Sequence, residues 1–456
     1  MSLVRRPPPQ RMGGATAERT DLPRRGRPPA RNEILRQGLL GGHRPEDLAD
    51  KFGTPFYVYD LDVVSHQVAA LRAVLPPIAR LAFALKANPA LGVVGHLARL
   101  GLGADIASGG ELDTALRAGI VPERIVFTGP GKRDEELRRA VDARVGVITV
   151  ESMGELRRLE RVAAAAGRCV PVLLRAAAAP EAGRERIQLI GDGGAGKFGM
   201  DPVALASSAR FAARSPHLEP LGLHVFGASN VLEASALVTH VRATMAAARL
   251  LARESGFPLR LIDVGGGLGI PYEVHEESLD LIGLGHGLAA LAREWAADPL
   301  TADAEILFEP GRFLVGPAGA YVSRVLDRKT VGGREIAILD GGIHHLLRPA
   351  LVGQEHRVRR LTASADRSTR FTPITLAGPL CTGSDVLATD AVLQDLEPGD
   401  LVAVLDVGAY GFTESMPFFL SHPIPPEIAV RDGRVALLRP RLEPATWLGW
   451  QSDPGL

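Results

Sequence analysis

Lysine occurs only at positions 51, 86, 132, 197 and 329 of the 456-residue chain, and Arg supplies the other 47 basic side chains. Each retained Lys is a candidate for chemistry that Arg does not do, because a guanidinium keeps its proton. Lys86 closes a short apolar run, FALKANP, and a desolvated lysine amine is a nucleophile toward an aldehyde. Other reactive types end similar runs. Asp105 and Ser108 stand in ADIASGGE, Arg175 ends CVPVLLR and His224 stands in GLHVFGAS; Gly265, Gly266 and Gly267 follow LIDV, and Glu309 opens EPGR. Singly, each has a plain structural reading: a solvated cap for Lys86, a core histidine between Leu223 and Val225 for His224, a turn residue for Glu309. Jointly they make a set with an amine, carboxylates, an imidazole, a guanidinium and a glycine run whose N–H groups can approach a phosphate closely.

Such a set requires a scaffold that brings strand ends together. Strand-length apolar runs occupy 80–86, 102–107, 124–128, 145–150, 169–175, 219–226, 259–264 and 304–309. Amphipathic segments of helical length separate them, among them 110–118, 135–141, 152–165, 202–213, 234–253 and 279–296. Eight strands alternating with helices predict an α/β fold, a (β/α)8 TIM barrel, with a doubly wound open sheet as the alternative. In a closed barrel the C-terminal strand ends share one rim, so Lys86, Asp105, Arg175, His224, the three glycines and Glu309 converge there. The chemistry that needs this set is that of pyridoxal 5'-phosphate. Lysine binds the aldehyde, a carboxylate pairs with the pyridine nitrogen, a flat side chain stacks on the ring and glycines hold the phosphate.

After about residue 315 the texture changes to short β-like runs separated by Gly, Pro and Asp, which predicts a C-terminal all-β domain. The expected organisation is a disordered Arg/Pro-rich tail over 1–34, a lead-in over 35–60 that contributes to the β domain, the barrel over 61–314 and the β domain over 315–456. A basic arm for a partner is the other reading of the tail. Hydrophobic residues make up 46% of the chain, which excludes wholesale disorder. The 52 basic and 52 acidic residues balance to a net charge of zero, which argues against a nucleic-acid partner or a polybasic membrane surface. No apolar run reaches about 18 residues, so no membrane span is expected. Cys169 and Cys381 fit a reducing compartment, and a cytoplasmic location is expected. GDGGAGK at Gly191–Lys197 looks like an ATP-binding loop, but Phe198 stands where a Mg-binding Ser or Thr is required. DVGGGLGI fails as a dinucleotide fingerprint because Ile270 replaces the last Gly.

FALKANP, DIASGGEL, KFGM, GLHVFGAS, IDVGGGLG, EPGRFLVGPAG, RPAL, CTGSD and GAYGF follow one another between Ala49 and Val430. By these motifs the chain resembles the fold-type III pyridoxal-phosphate decarboxylases, most of all the diaminopimelate and ornithine decarboxylase group. The resemblance implies an amino-acid carboxy-lyase built as a TIM barrel followed by a β domain. It implies that Lys86 is the Schiff-base lysine, that His224 stacks on the cofactor ring, that Glu309 partners the pyridine nitrogen and that Asp105 supports the site. Arg175 would lie near the phenolic oxygen. Ser229, Gly266, Gly267, Gly311, Arg312 and Tyr410 would form the phosphate cup. Arg312, Arg348, Asp385 and Tyr410 would contact substrate. Cys381 and Asp385 match a C-x-x-x-D motif that in the family enters the partner subunit's site, which implies a homodimer with Cys381 as a proton donor. No metal is implied.

The shell around the substrate's distal end departs from the diaminopimelate pattern. Thr382 replaces the Glu of C-E-S-x-D, Val352 replaces the Tyr of R-P-x-L-Y, and TESMPFFL follows GAYGF. The expectation is a decarboxylase with an altered distal pocket. The alternative is an enzyme of secondary metabolism acting on a siderophore precursor or an aminoacyl group tethered to an acyl carrier protein. A racemase is disfavoured by KANP, and a non-catalytic inhibitor of this fold by the retained Lys86 and glycines.

Overall fold

The computed structural model describes residues 34–177, 196–273, 275–362 and 371–454. The tail expected over 1–34 falls, but for Ile34, outside the described residues, as does most of Gly191–Lys197.

Eight parallel strands close into a barrel: Ala79–Ala84, Gly103–Ile106, Ile125–Phe127, Val147–Val150, Val170–Arg175, Leu218–His224, Leu261–Asp263 and Glu305–Phe308. The last pairs back onto the first, with Ile306 opposite Ala79. The open-sheet alternative is thereby excluded. Helices between the strands start where Ser or Asp offers a side-chain oxygen to the first turn. Ser108 accepts from the Glu111 N–H, Ser152 from Glu155, and Asp201 from Val203 and Ala204.

Side chains alternate along a strand, so every second residue faces the barrel interior. Ala82, Val126, Val147, Leu173, Leu261 and Leu307 form one apolar interior cluster. One pleat further toward the C-terminal rim, the same strands present Ala84, Thr128, Thr149, Arg175, Asp263 and Glu309, with Asp105 two residues after Gly103. A polar layer thus lies directly on an apolar floor. Asp105, Thr128, Thr149, Arg175, Asp263 and Glu309 are all buried. Lys86 does not end a strand as expected. The first strand stops at Ala84, and Lys86 sits in a single 3-10 turn, Leu85–Ala87.

Beyond the barrel, the 13-residue strand Gly319–Val331 is the hub of a mostly antiparallel sheet. It pairs with Phe56–Asp60, Arg334–Leu339 and Leu401–Leu405. Phe56–Asp60 also pairs with Glu427–Arg431, so the lead-in strand lies inside this sheet with all five residues buried. No described helix is long and apolar enough to cross a membrane.

Candidate active site

Lys86 Nζ donates to Asp105 Oδ2 at 3.3 Å, and Thr128 Oγ1 donates to Asp105 Oδ1 at 2.6 Å. Burial acts to lower the Lys86 pKa, but Asp105, Glu309 and Tyr410 outweigh it and hold the amine above the usual lysine value. The Lys86 side chain lies in the barrel mouth with 43% of its surface exposed, so solvent softens that pull. Asp105 is 2% exposed and receives both contacts from inside the polar layer. The Phe226 ring centre lies 5.6 Å from Lys86 Nζ.

Across the barrel, His224 Nε2 stands 3.7 Å from Glu309 Oε2. Neither His224 nitrogen has a hydrogen-bond partner among the described residues, and neither does Glu309 Oε1. Burial, with Arg175 and Lys86 nearby, pushes the His224 pKa well down, so the ring is a neutral imidazole. Burial raises the Glu309 carboxyl well above its ordinary value, and Asp105 and Asp263 raise it further. Asp263, at the end of the seventh strand, is pushed up to about 7 by burial, opposed by a hydrogen bond from Glu309 and by the Gly265 N–H. Two buried carboxyls this close share a proton, because both do not ionise side by side. Sequence reasoning missed Asp263, although its position two residues after the inward-facing Leu261 identifies it. Glu111 was missed as well. It accepts from the Ala107 N–H at 2.7 Å, and burial raises its pKa to about 7.

The glycine run turns tightly between these groups. Gly265 and Gly267 adopt φ of +70° and +89°, which only glycine takes without strain. A Cβ at Gly266 would strike the Glu309 carbonyl, and one at Gly267 would lie 2.8 Å from the Ala228 carbonyl. Among the described residues, no hydrogen bond engages the N–H of Gly266 or Gly267. Arg312 donates to Tyr272 Oη at 2.6 Å and to Ser229 Oγ at 3.4 Å, with its guanidinium 4.9 Å from the Tyr410 ring centre. Tyr410 N–H in turn bonds the Ala87 carbonyl, beside Lys86, and Gly311 lies against Ala87. Tyr272, 1% exposed, is a further site residue that the sequence did not single out.

These groups fit pyridoxal phosphate. The buried Glu309 carboxyl, braced by Asp263, suits a protonated ring nitrogen, and a neutral flat imidazole lies beside it. Free glycine N–H groups, Ser229 and Arg312 suit a phosphate dianion, and a lysine amine stands in the mouth.

The remaining predicted residues lie differently. Arg175 Nη1 is 2.6 Å from Glu151 Oε1, so its guanidinium is already engaged in a buried ion pair at the rim. Arg348 is also engaged, 2.8 Å from Glu414 Oε2, while its guanidinium lies 4.8 Å from the Tyr410 ring centre. Asp385 is buried, and its carboxylate accepts from Ile343 N–H at 2.8 Å and Leu380 N–H at 2.7 Å. It therefore ties together two loops of the sheet rather than presenting a free carboxylate to substrate. Cys381, four residues earlier, is exposed on the tied loop, and among the described residues no hydrogen bond joins it to the Lys86 group.

The profile of the family described as pyridoxal-dependent decarboxylase, pyridoxal binding domain, matches residues 61–316. The chain is 34% identical over 401 residues to L-glutamyl-[BtrI acyl-carrier protein] decarboxylase of Niallia circulans, spanning 86% of this chain and 92% of that protein. It is 33% identical over 404 residues to diaminopimelate decarboxylase of Aquifex aeolicus, spanning 88% and 93%. The crystal structure of diaminopimelate decarboxylase from Helicobacter pylori complexed with L-lysine is similar with a TM-score of 0.80 at 32% identity, covering 89% of this chain and 98% of that one.

Proposed function

The chain belongs to the pyridoxal-dependent decarboxylase family and is a pyridoxal-phosphate-dependent amino-acid decarboxylase; from that premise we propose how its residues divide the work. The cofactor, when bound, supplies a protonated ring that accepts the electron pair released as the α-carboxylate leaves as CO2. Lys86 would hold it covalently, and Asp105 at 3.3 Å would take and return the amine proton. Glu309, braced by Asp263, keeps a proton at the ring nitrogen; preorganised charge of this kind contributes on the order of 3–4 kcal/mol to a rate. His224, neutral and without hydrogen-bond partners, would stack on the ring. Gly266, Gly267, Gly311, Ser229, Arg312 and Tyr410 hold the phosphate. Arg175 fixes the rim through Glu151.

Cys381 of the partner subunit returns a proton to the α-carbon, so the working unit is a homodimer with shared sites. Exposure of the Cys381 loop in the single chain supports this, because a proton donor inside its own site would be buried. The two unpaired cysteines, Cys169 and Cys381, suit the cytoplasm.

The observation that carries this reading is the polar layer itself, which sets the Lys86–Asp105 pair and the His224–Glu309 pair at the same barrel rim. Purified holoenzyme assayed for CO2 release with free amino acids and with carrier-tethered aminoacyl groups tests it. Two substrate readings stand. One is a diaminopimelate-like amino acid held in an altered distal pocket. The other is an aminoacyl group on an acyl carrier protein, which the similarity to the Niallia circulans enzyme favours.

A further inference from the structure

Arg348 begins the short helix Arg348–Val352 with its side chain 6% exposed. Its guanidinium and that of Arg312 lie 4.8 Å and 4.9 Å from the same Tyr410 ring centre, and Tyr410 is bonded through its N–H to Ala87, next to Lys86. Two guanidinium groups on one phenol ring form a cationic wall beside the reacting amine. Such a wall attracts a carboxylate at the far end of a substrate.

Glu414 alters that wall. Its Oε2 lies 2.8 Å from Arg348 Nη1 while its side chain keeps 25% exposure. The pair is held from both sides. Glu414 ends the turn Phe412–Glu414, and the next residue, Ser415, donates to the Gly411 carbonyl at 2.9 Å and accepts from the Leu347 N–H at 3.0 Å, one residue before Arg348. Arg348 Nε has no partner among the described residues and remains a free donor.

We infer that Glu414 sets specificity at the distal end of the substrate, excluding a second free carboxylate and admitting a neutral acyl end such as an ester, amide or thioester. The inference rests on the decarboxylase reading. A free distal carboxylate would have to displace Glu414 from a nearly buried guanidinium, or lie against its negative charge, and like charges brought together at such a site discriminate strongly. A neutral carbonyl meets neither obstacle. It accepts from the remaining Arg348 N–H groups while Glu414 stays in place. The substrate class is therefore an α-amino acid whose far carboxyl is covalently capped.

The test compares L-glutamate with its γ-methyl ester on the holoenzyme, wild type and Glu414→Gln, with Glu414→Met as a second variant in case the first does not fold. Retention of the cofactor's visible absorbance reports an intact site. Two quantities are read: kcat/KM from CO2 release, and binding constants from the change in cofactor absorbance on mixing, which needs no turnover. The wild type is expected to favour the ester, and Glu414→Gln to reduce that preference by about 10- to 100-fold, chiefly by improving the free acid. A wild-type preference for free L-glutamate overturns the inference. So does an equal loss for both ligands in the variants, which is what a structural role produces. If binding follows Glu414 but no CO2 is released from either compound, the specificity assignment holds and the assigned reaction fails.

Discussion

Replacement of Asp385 separates a structural carboxylate from a substrate-binding one. Its two oxygens accept from Ile343 N–H at 2.8 Å and Leu380 N–H at 2.7 Å, and a Cβ at Gly342 or Gly378 would strike them, so the packing is close on every side. A hydrogen bond to a charged group contributes roughly 1.5–3 kcal/mol net, and a buried donor left without a partner costs roughly 1–3 kcal/mol. Two such bonds bound the loss at about 3–6 kcal/mol. Burial raises the Asp385 pKa despite those bonds, which shows that desolvation offsets much of their gain. The low end applies, about 3 kcal/mol for Asp385→Ala. Asp385→Asn keeps one carbonyl acceptor and should lose about half as much. Urea titration of the holoenzyme measures the loss, and steady-state kinetics accompany it. The expected result is a lowered midpoint with unchanged m, a lower kcat because the Cys381 loop is released, and a KM within about threefold of wild type. An Asp385→Ala protein with the wild-type midpoint and a KM raised more than about tenfold would refute the structural role and restore the substrate contact.

Lys86→Ala should abolish fixation of the cofactor by borohydride; fixation through another of the five lysines would overturn the assignment. Inactive Lys86→Ala and inactive Cys381→Ala chains, mixed and allowed to exchange, should regain about a quarter of wild-type activity, because half the dimers are mixed and each has one complete site. No recovery in proven heterodimers would rule out shared sites. Asp263 has a folded pKa of about 7, raised from the carboxylate range, so its contribution to the stability of the cofactor-free protein is full in acid and lost as pH rises through about 7. Asp263→Asn should therefore lose less stability than wild type between pH 5 and pH 8 in thermal melts; parallel curves would contradict the shared proton. Thr382→Glu with Val352→Tyr should shift kcat/KM toward meso-diaminopimelate, and an unchanged ratio would place the distal contacts elsewhere.

The barrel was legible in the chain because strand-length runs and amphipathic segments obey different periods, 2 and 3.6, and because eight repeats leave few topologies. Asp105, His224 and Glu309 were legible because a barrel sends every C-terminal strand end to one rim, and Lys86, in the turn just past its strand, because lysine is scarce in the chain. Thr128 and Asp263 were missed, although each stands two residues beyond an apolar interior side chain, because their shared role with Asp105 and Glu309 depends on distance across the barrel. Other features had no local signal. Whether Arg348 is free or engaged depends on Glu414, 66 residues away, and whether Asp385 faces substrate or backbone depends on Ile343, 42 residues away. Local sequence sets which groups a segment carries and how they alternate. Pairing between segments is decided by closure of the sheet and by burial, since a charge removed from water takes whichever partner the packing supplies.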